Sequence, residues 1–214
     1  MGLAGNSLAQ TTTAGVSLGY NFPTGGFAAA VTKDIIHDDL YGSANWGLGF
    51  TFLYKHQFKN NFAVGLNASL NYFHANAFKF SNYFYIIDGV DITGTYWVIP
   101  VVTSLEYHLA RGKFDYFAGV EFGIVNTTCN YFVDHMYSRS GSPTRYLASR
   151  TGAIGGIVLG SSFQKSEKIS YYISASYLMG TNNHAFNRYS EEFNSGFSAT
   201  EFIAIHTGVL KKIK

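Results

Sequence analysis

The chain is poor in charge, in proline and in cysteine. Asp, Glu, Lys and Arg make up 13% of its 214 residues, about half the share usual in a soluble domain. The net charge is +2, too small for the electrostatic footprint of a nucleic-acid binder. A single cysteine, Cys129, excludes an internal disulfide framework and any cysteine-based metal site. Long hydrophobic runs are missing as well. None approaches the 18 or more consecutive apolar residues that mark a transmembrane helix. A length of 214 residues suits one domain.

Aromatics and glycine are abundant, at 17% and 23 residues, against three prolines. Their arrangement has a period of two, which places successive side chains on opposite faces of a strand. In "TAGVSLGYNF", Ala14, Val16, Leu18, Tyr20 and Phe22 oppose Gly15, Ser17, Gly19 and Asn21. In "WGLGFTFLYKHQF", Trp46, Leu48, Phe50, Phe52 and Tyr54 oppose Gly47, Gly49, Thr51, Lys55 and Gln57. "FAVGLNASLNYF" repeats the pattern, with Phe62, Val64, Leu66, Leu70 and Tyr72 against Gly65, Asn67, Ser69 and Asn71. Similar alternation predicts strands over 95–108, 114–126, 150–164, 169–179 and 201–213. That makes eight, each long enough for the roughly 9–11 residues that a tilted strand needs to cross a bilayer.

The connections alternate too. "KNN", "ARGK" and "KSEK" follow the second, fourth and sixth strands, while long polar stretches occupy about 23–45, 74–94, 127–149 and 180–199. Short turns on one side and long loops on the other mark a transmembrane barrel. Parity then places the N-terminus on the short-turn, periplasmic side. A soluble barrel needs a polar outside and an apolar inside. A face of Gly, Ser and Asn cannot supply that core, so the bulky face is expected to meet lipid. The expected fold is all-β, an eight-stranded antiparallel up-and-down barrel with four long extracellular loops.

"GVSLGYNFPTGGF" and "GLGFTFLYKHQFKNNFAVGLNASLNYF" resemble the opening hairpins of the outer-membrane barrels similar to the OmpA transmembrane domain, OmpX and OmpW. The resemblance covers about residues 13–214 and rests on pattern, so it implies the fold and a bacterial outer-membrane location more than an activity. The closing "GVLKKIK" departs from the terminal aromatic of many such proteins. In "MGLAGNSLAQ", Ser7 and Ala9 have the spacing a signal peptidase reads before Gln10. Residues 1–10 are therefore set apart as a signal remnant or tail, and 11–214 as one barrel domain.

Seven ionisable residues fall on the predicted inner face: Lys55, Glu106, His108, Asp115, Glu121, Arg150 and His206. Charges in a narrow lumen need partners, so they are expected to form a structural charge network. A gated proton or ion path is the sharper alternative. Eight strands leave room only for side chains, which disfavours a diffusion pore. His184, Ser190, Glu191 and Glu192 invite comparison with lipid A deacylases, but six residues separate the His and Ser where those enzymes have two. His37, Asp38 and Asp39 lack recognised metal-ligand spacing. No cofactor or metal is expected.

Lys59, Arg111, Lys113, Lys165, Lys168, Lys211, Lys212 and Lys214 gather on the short-turn rim, where they suit lipid phosphates. The long stretches lean acidic, with Asp34, Asp38, Asp39, Asp88, Asp91, Glu191 and Glu192. They also carry Tyr83, Phe84, Tyr85, Tyr131, Phe132 and Tyr137, aromatics that a solvated loop does not need. The expected function is non-enzymatic, through loops or outer wall: adhesion, envelope stabilisation or an accessory subunit. A narrow channel and a lipid A-modifying enzyme are the alternatives. Expected partners are outer-membrane lipid, lipopolysaccharide and other outer-membrane proteins, with no nucleic acid.

Overall fold

A computed structural model describes residues 10–28, 44–75, 90–135, 144–183 and 199–213. Eight strands run in chain order: β1 (Thr11–Pro23), β2 (Ala44–Gln57), β3 (Phe62–Ala75), β4 (Val90–Arg111), β5 (Phe114–His135), β6 (Thr144–Gln164), β7 (Ile169–Asn183) and β8 (Ala199–Lys212). A single helical turn, α1 (Gly25–Ala28), follows β1. Each strand pairs antiparallel with the next, and β1 pairs with β8 to close a barrel. Closure leaves no free edge at the level where all eight strands pair, as a hydrocarbon environment demands.

The hairpins fix the register. Arg111 pairs with Phe114 across Gly112 and Lys113. Gly112 takes a φ of 63°, the left-handed conformation that a two-residue hairpin needs at its first position. The β2–β3 turn is longer: Phe58 N donates to Phe62 O at 2.7 Å across Lys59, Asn60 and Asn61. Asn61, at its last position, takes a φ of 68°, a region that asparagine tolerates better than most side chains.

The outward row agrees with the alternation read from the sequence. Leu18, Trp46, Phe52, Leu66, Leu105, Phe122, Leu159 and Ile173 are all exposed. On β5 this apolar row runs from Phe114 to Ile124. Ten steps at ~3.4 Å with a tilt of ~40° make roughly 26 Å of wall, the height of a membrane-facing band. Beyond Ile124 the same row becomes Asn126 and Thr128, beside Thr151 and Ser149 on β6. Asn126 Nδ2 donates to Ser149 Oγ at 3.1 Å and to Thr151 Oγ1 at 3.0 Å.

Two expectations need correction here. The described parts of the stretches 74–94 and 127–149, residues 74–75, 90–94, 127–135 and 144–149, are strand and not loop. β4, β5 and β6 run for 22, 22 and 21 residues against 13 to 15 for the other five strands. Asp91 accordingly lies in β4, and Tyr131 and Phe132 in β5. "VDITGTYW" and "NTTCNYFV" are rich in the β-branched and aromatic residues that favour strands. The alternation of the membrane half is lost in them: Trp97 faces out beside buried Tyr96, and Asn126 and Thr128 face out beside buried Cys129. The inner face is also not uniformly small and polar. Its loop-end half is filled by Phe27, Phe73, Tyr96, Val98, Val125, Leu178 and Phe202.

Candidate functional site

The lumen is divided across its height. At the turn end, Lys55 on β2, Glu106 and His108 on β4, and Asp115 and Phe117 on β5 all project inward. Lys55 Nζ lies 2.5 Å from Glu106 Oε2, and Ser104 Oγ donates to Glu106 Oε1 at 2.9 Å. His108 faces two carboxylates, with Nδ1 2.7 Å from Asp115 Oδ2 and Nε2 3.1 Å from Glu106 Oε2. Ionised carboxylates only accept, so a doubly protonated ring satisfies both contacts at once. Lys55 and that ring then balance Glu106 and Asp115, which removes the cost of a lone charge away from water.

Phe117 organises this group. Lys55 Nζ sits 4.2 Å from its ring centroid, and His108 stacks on it at 5.4 Å with an interplanar angle of 24°. Cations over an aromatic face are attracted by its quadrupole. Gly160 makes the space: a Cβ there would lie 2.5 Å from Phe117 Cζ.

Glu121 and His206 stand apart from that network. Asn67 Nδ2 donates to Glu121 Oε1 at 2.9 Å, and among the described residues no cation pairs with the carboxylate. His206 Nδ1 lies 3.4 Å from both Ser17 Oγ and Thr51 Oγ1. A cavity of about 40 Å³ beside these residues has room for only a few waters. Arg150 occupies the inward row but pairs with Thr127, well towards the loop end and away from the other six. Four of the seven inner-face residues are thus joined by direct contacts, two neighbour them and one is remote.

A vestibule of about 280 Å³ opens at the turn end, bounded by Gln57, His108, Asp115, Lys113, Lys168 and Lys212 among others. The opposite end is closed by α1. Phe27 is wholly buried, edge-on to Phe73 at 5.2 Å and to Tyr96 at 5.1 Å, with Phe202 against Phe73 at 5.5 Å. Thr24 N donates to Glu201 O at 2.8 Å. The Glu201 carboxylate covers Gly25 and accepts from Tyr177 Oη. Gly25 cannot be replaced without strain, because its φ is 51° and a Cβ would overlap Glu201 Oε2. Sequence reasoning missed this plug. Its signal was an isolated Phe after "PTGG", together with Phe73, Tyr96 and Phe202 on rows otherwise small and polar.

Comparison with family models gives no match, and neither does comparison with curated proteins. Solved structures do match. The outer-membrane protease OmpT of Escherichia coli superposes with a TM-score of 0.51 at 9% identity, over 97% of this chain and 99% of that one. A major outer membrane protein of Thermus thermophilus gives 0.50 at 8% identity, over 94% of this chain and 99% of that one. The chain has the fold of an outer-membrane β-barrel. Neisserial surface protein A also aligns, with a TM-score of 0.46 at 8% identity over 97% and 99% of the two chains. Likeness at this level carries the fold and no activity, and a protease shares that fold.

Among the described residues no group of three or more His, Cys, Asp or Glu side chains is arranged to hold a metal ion. His184, Ser190, Glu191 and Glu192 lie outside the described residues, as do His37, Asp38, Asp39, Tyr83, Phe84, Tyr85 and Tyr137.

Proposed function

We propose that this is a non-enzymatic protein of the bacterial outer membrane that acts outside the bilayer, through the sheet that β4, β5 and β6 raise at the loop end. The carrying observation is the change of the outward row from Ile124 to Asn126 and Thr128 with eleven residues of β5 still to come. Counted from Thr128, whose outward β4 neighbour Trp97 is still apolar, β5 continues for roughly 18 Å, more than crossing requires. There it supports a role in adhesion, envelope stabilisation or an accessory subunit, with lipopolysaccharide or another outer-membrane protein as partner. The N-terminus and the lysine-rich turns then face the periplasm. The Lys55–Glu106–His108–Asp115 network serves as a structural fastening of the turn half. The filled lumen speaks against the channel alternative, and silence in planar-bilayer recording is expected.

Two experiments test this reading. A Ser149→Cys variant should react with an impermeant maleimide on intact cells, while a Ser170→Cys variant at the turn end should not. The opposite pattern removes the surface assignment. A second variant, with 127–149 replaced by a short turn, should still insert but lose cell attachment, envelope resistance to detergent, or association with other membrane proteins. Wild-type behaviour in all three would defeat the proposed role.

A further inference from the structure

A depression on the outer wall, near the turn end, combines apolar walls with lysines. On β1 the outward row reads Thr12, Ala14, Val16, Leu18, Tyr20 and Phe22, and Ala14, the second from the turn end, is its smallest member. Ala14 pairs with Tyr54 on β2 and with Lys211 on β8; Val16 pairs with Phe52 and Val209. Larger neighbours on both sides therefore leave an open groove of about 750 Å³ over Ala14, walled by Phe52 and Val209. Its turn-end margin is basic. Lys168 and Lys211 border it with Lys212, and Lys212 N donates to Lys168 O at 2.8 Å, which ties the β6–β7 turn to the end of β8.

We propose that this groove is a binding site for an anionic phospholipid of the leaflet at the turn end. One acyl chain lies over Ala14 between Phe52 and Val209, and the phosphate rests between Lys168 and Lys211. Ala14, Val16, Phe52, Val209 and Ile213 give the groove apolar walls, and Lys168, Lys211 and Lys212 line its β8 side, a combination that suits an anionic lipid. A soluble phosphate would gain nothing from Phe52 and Val209, and a zwitterionic lipid would bring its own cation to the lysines. Juxtamembrane lysines attract anionic headgroups at short range, and the groove adds apolar contact that a bare rim of lysines lacks.

The test uses the full chain in vesicles of phosphatidylcholine doped with phosphatidylglycerol, with retained lipid read by native mass spectrometry after mild detergent extraction. One phosphatidylglycerol should be retained in preference to phosphatidylcholine by roughly thirtyfold, as two lysines near a headgroup imply. The K168Q/K211Q double variant should abolish the preference. Ala14→Leu keeps every charge but fills the groove, and should reduce retention of both lipids. A K59Q/K113Q variant removes the same charge elsewhere on the rim and should behave as wild type. The four lysines are exposed and Ala14 is half-buried on the outer wall, and a heat-shift gel confirms that each barrel is folded. Equal retention of the two lipids by the wild type overturns the proposal. So does an equal loss in the control variant, or wild-type retention in Ala14→Leu, since either leaves only diffuse rim charge.

Discussion

Compare the two halves of β5. Between Phe114 and Ile124 the outward side chains are apolar while Asp115 and Glu121 point inward; beyond Ile124, Asn126 and Thr128 point outward while Val125 and Cys129 are buried. The strand keeps its period of two throughout, and the solvent outside decides the sign. Lipid accepts Phe122 without cost and leaves the lumen to polar groups, which must then satisfy one another. In the loop half Phe27, Phe73, Tyr96 and Phe202 assemble into an inner core as in a soluble barrel, while Trp97 and Ile203 still face outward. The turn half thus depends on paired charges and lipid, and the loop half on hydrophobic burial. Each half has its own weak points.

The largest effect is expected in the turn half from Glu106→Ala, which strands Lys55 and His108 among buried neighbours. A loss of about 3–5 kcal/mol is the usual result of removing one member of a buried pair, read by urea unfolding of the protein in lipid vesicles. A loss below 1 kcal/mol, with ~1 kcal/mol the range of exposed pairs, would mean that water already reaches this network. In the loop half, Phe27→Ala should cost about 3 kcal/mol as a large-to-small core change. Cys129 reports it directly, being the only thiol in the chain and buried in the same cluster. It should resist a water-soluble maleimide in the wild type and react readily in Phe27→Ala; equal reactivity would show that α1 does not seal the core.

The boundary itself is sharpened by placing arginine at two points of one row. Val120→Arg in the mid-band should cost about 2–4 kcal/mol. Thr128→Arg, eight residues along the same face, should stay within about 0.5 kcal/mol. Comparable losses at both positions would put Thr128 inside the membrane and erase the change of sign. The smallest effect is expected from Tyr177→Phe, which removes one hydrogen bond to Glu201 beside α1. It should cost about 1 kcal/mol and give a slight rise in Cys129 labelling, while urea unfolding of the turn half is unaltered.

Much of the fold could be read in the sequence because the membrane half obeys one rule on every strand. The outward rows from Leu18 to Ile205 needed only a period of two, and the short turns needed only Gly112 and Asn61 in tight connections. Parts of the site were equally accessible. Glu106 and His108 share a face by spacing, and the two-residue turn at Gly112 pairs His108 with Phe117, next to Asp115. Lys55 with Glu106 was not accessible, since 51 residues separate them and their meeting depends on how the barrel curves across β3. Arg150 had the right parity and the wrong height, because parity says nothing about position along the strand. The extensions of β4 to β6 were hidden for a further reason. Where the outside turns polar, inward Val125 and Cys129 beside outward Asn126 and Thr128 no longer resemble the pattern of the membrane half.

The seam between β1 and β8 bears on how the barrel comes into being. Ser17 and His206 face each other across it from 189 residues apart, so its contacts are among the least local that the chain can make. Every hairpin can form from neighbouring sequence, but the cylinder is shut only when the final strand arrives. Loop-closure entropy must be met before those last bonds return anything. Until then the growing sheet carries two open edges, β1 and whichever strand came last, each a template for unwanted pairing. Assembly should consequently be late and concerted, with circularisation as the slow step and hairpin-by-hairpin growth fast before it.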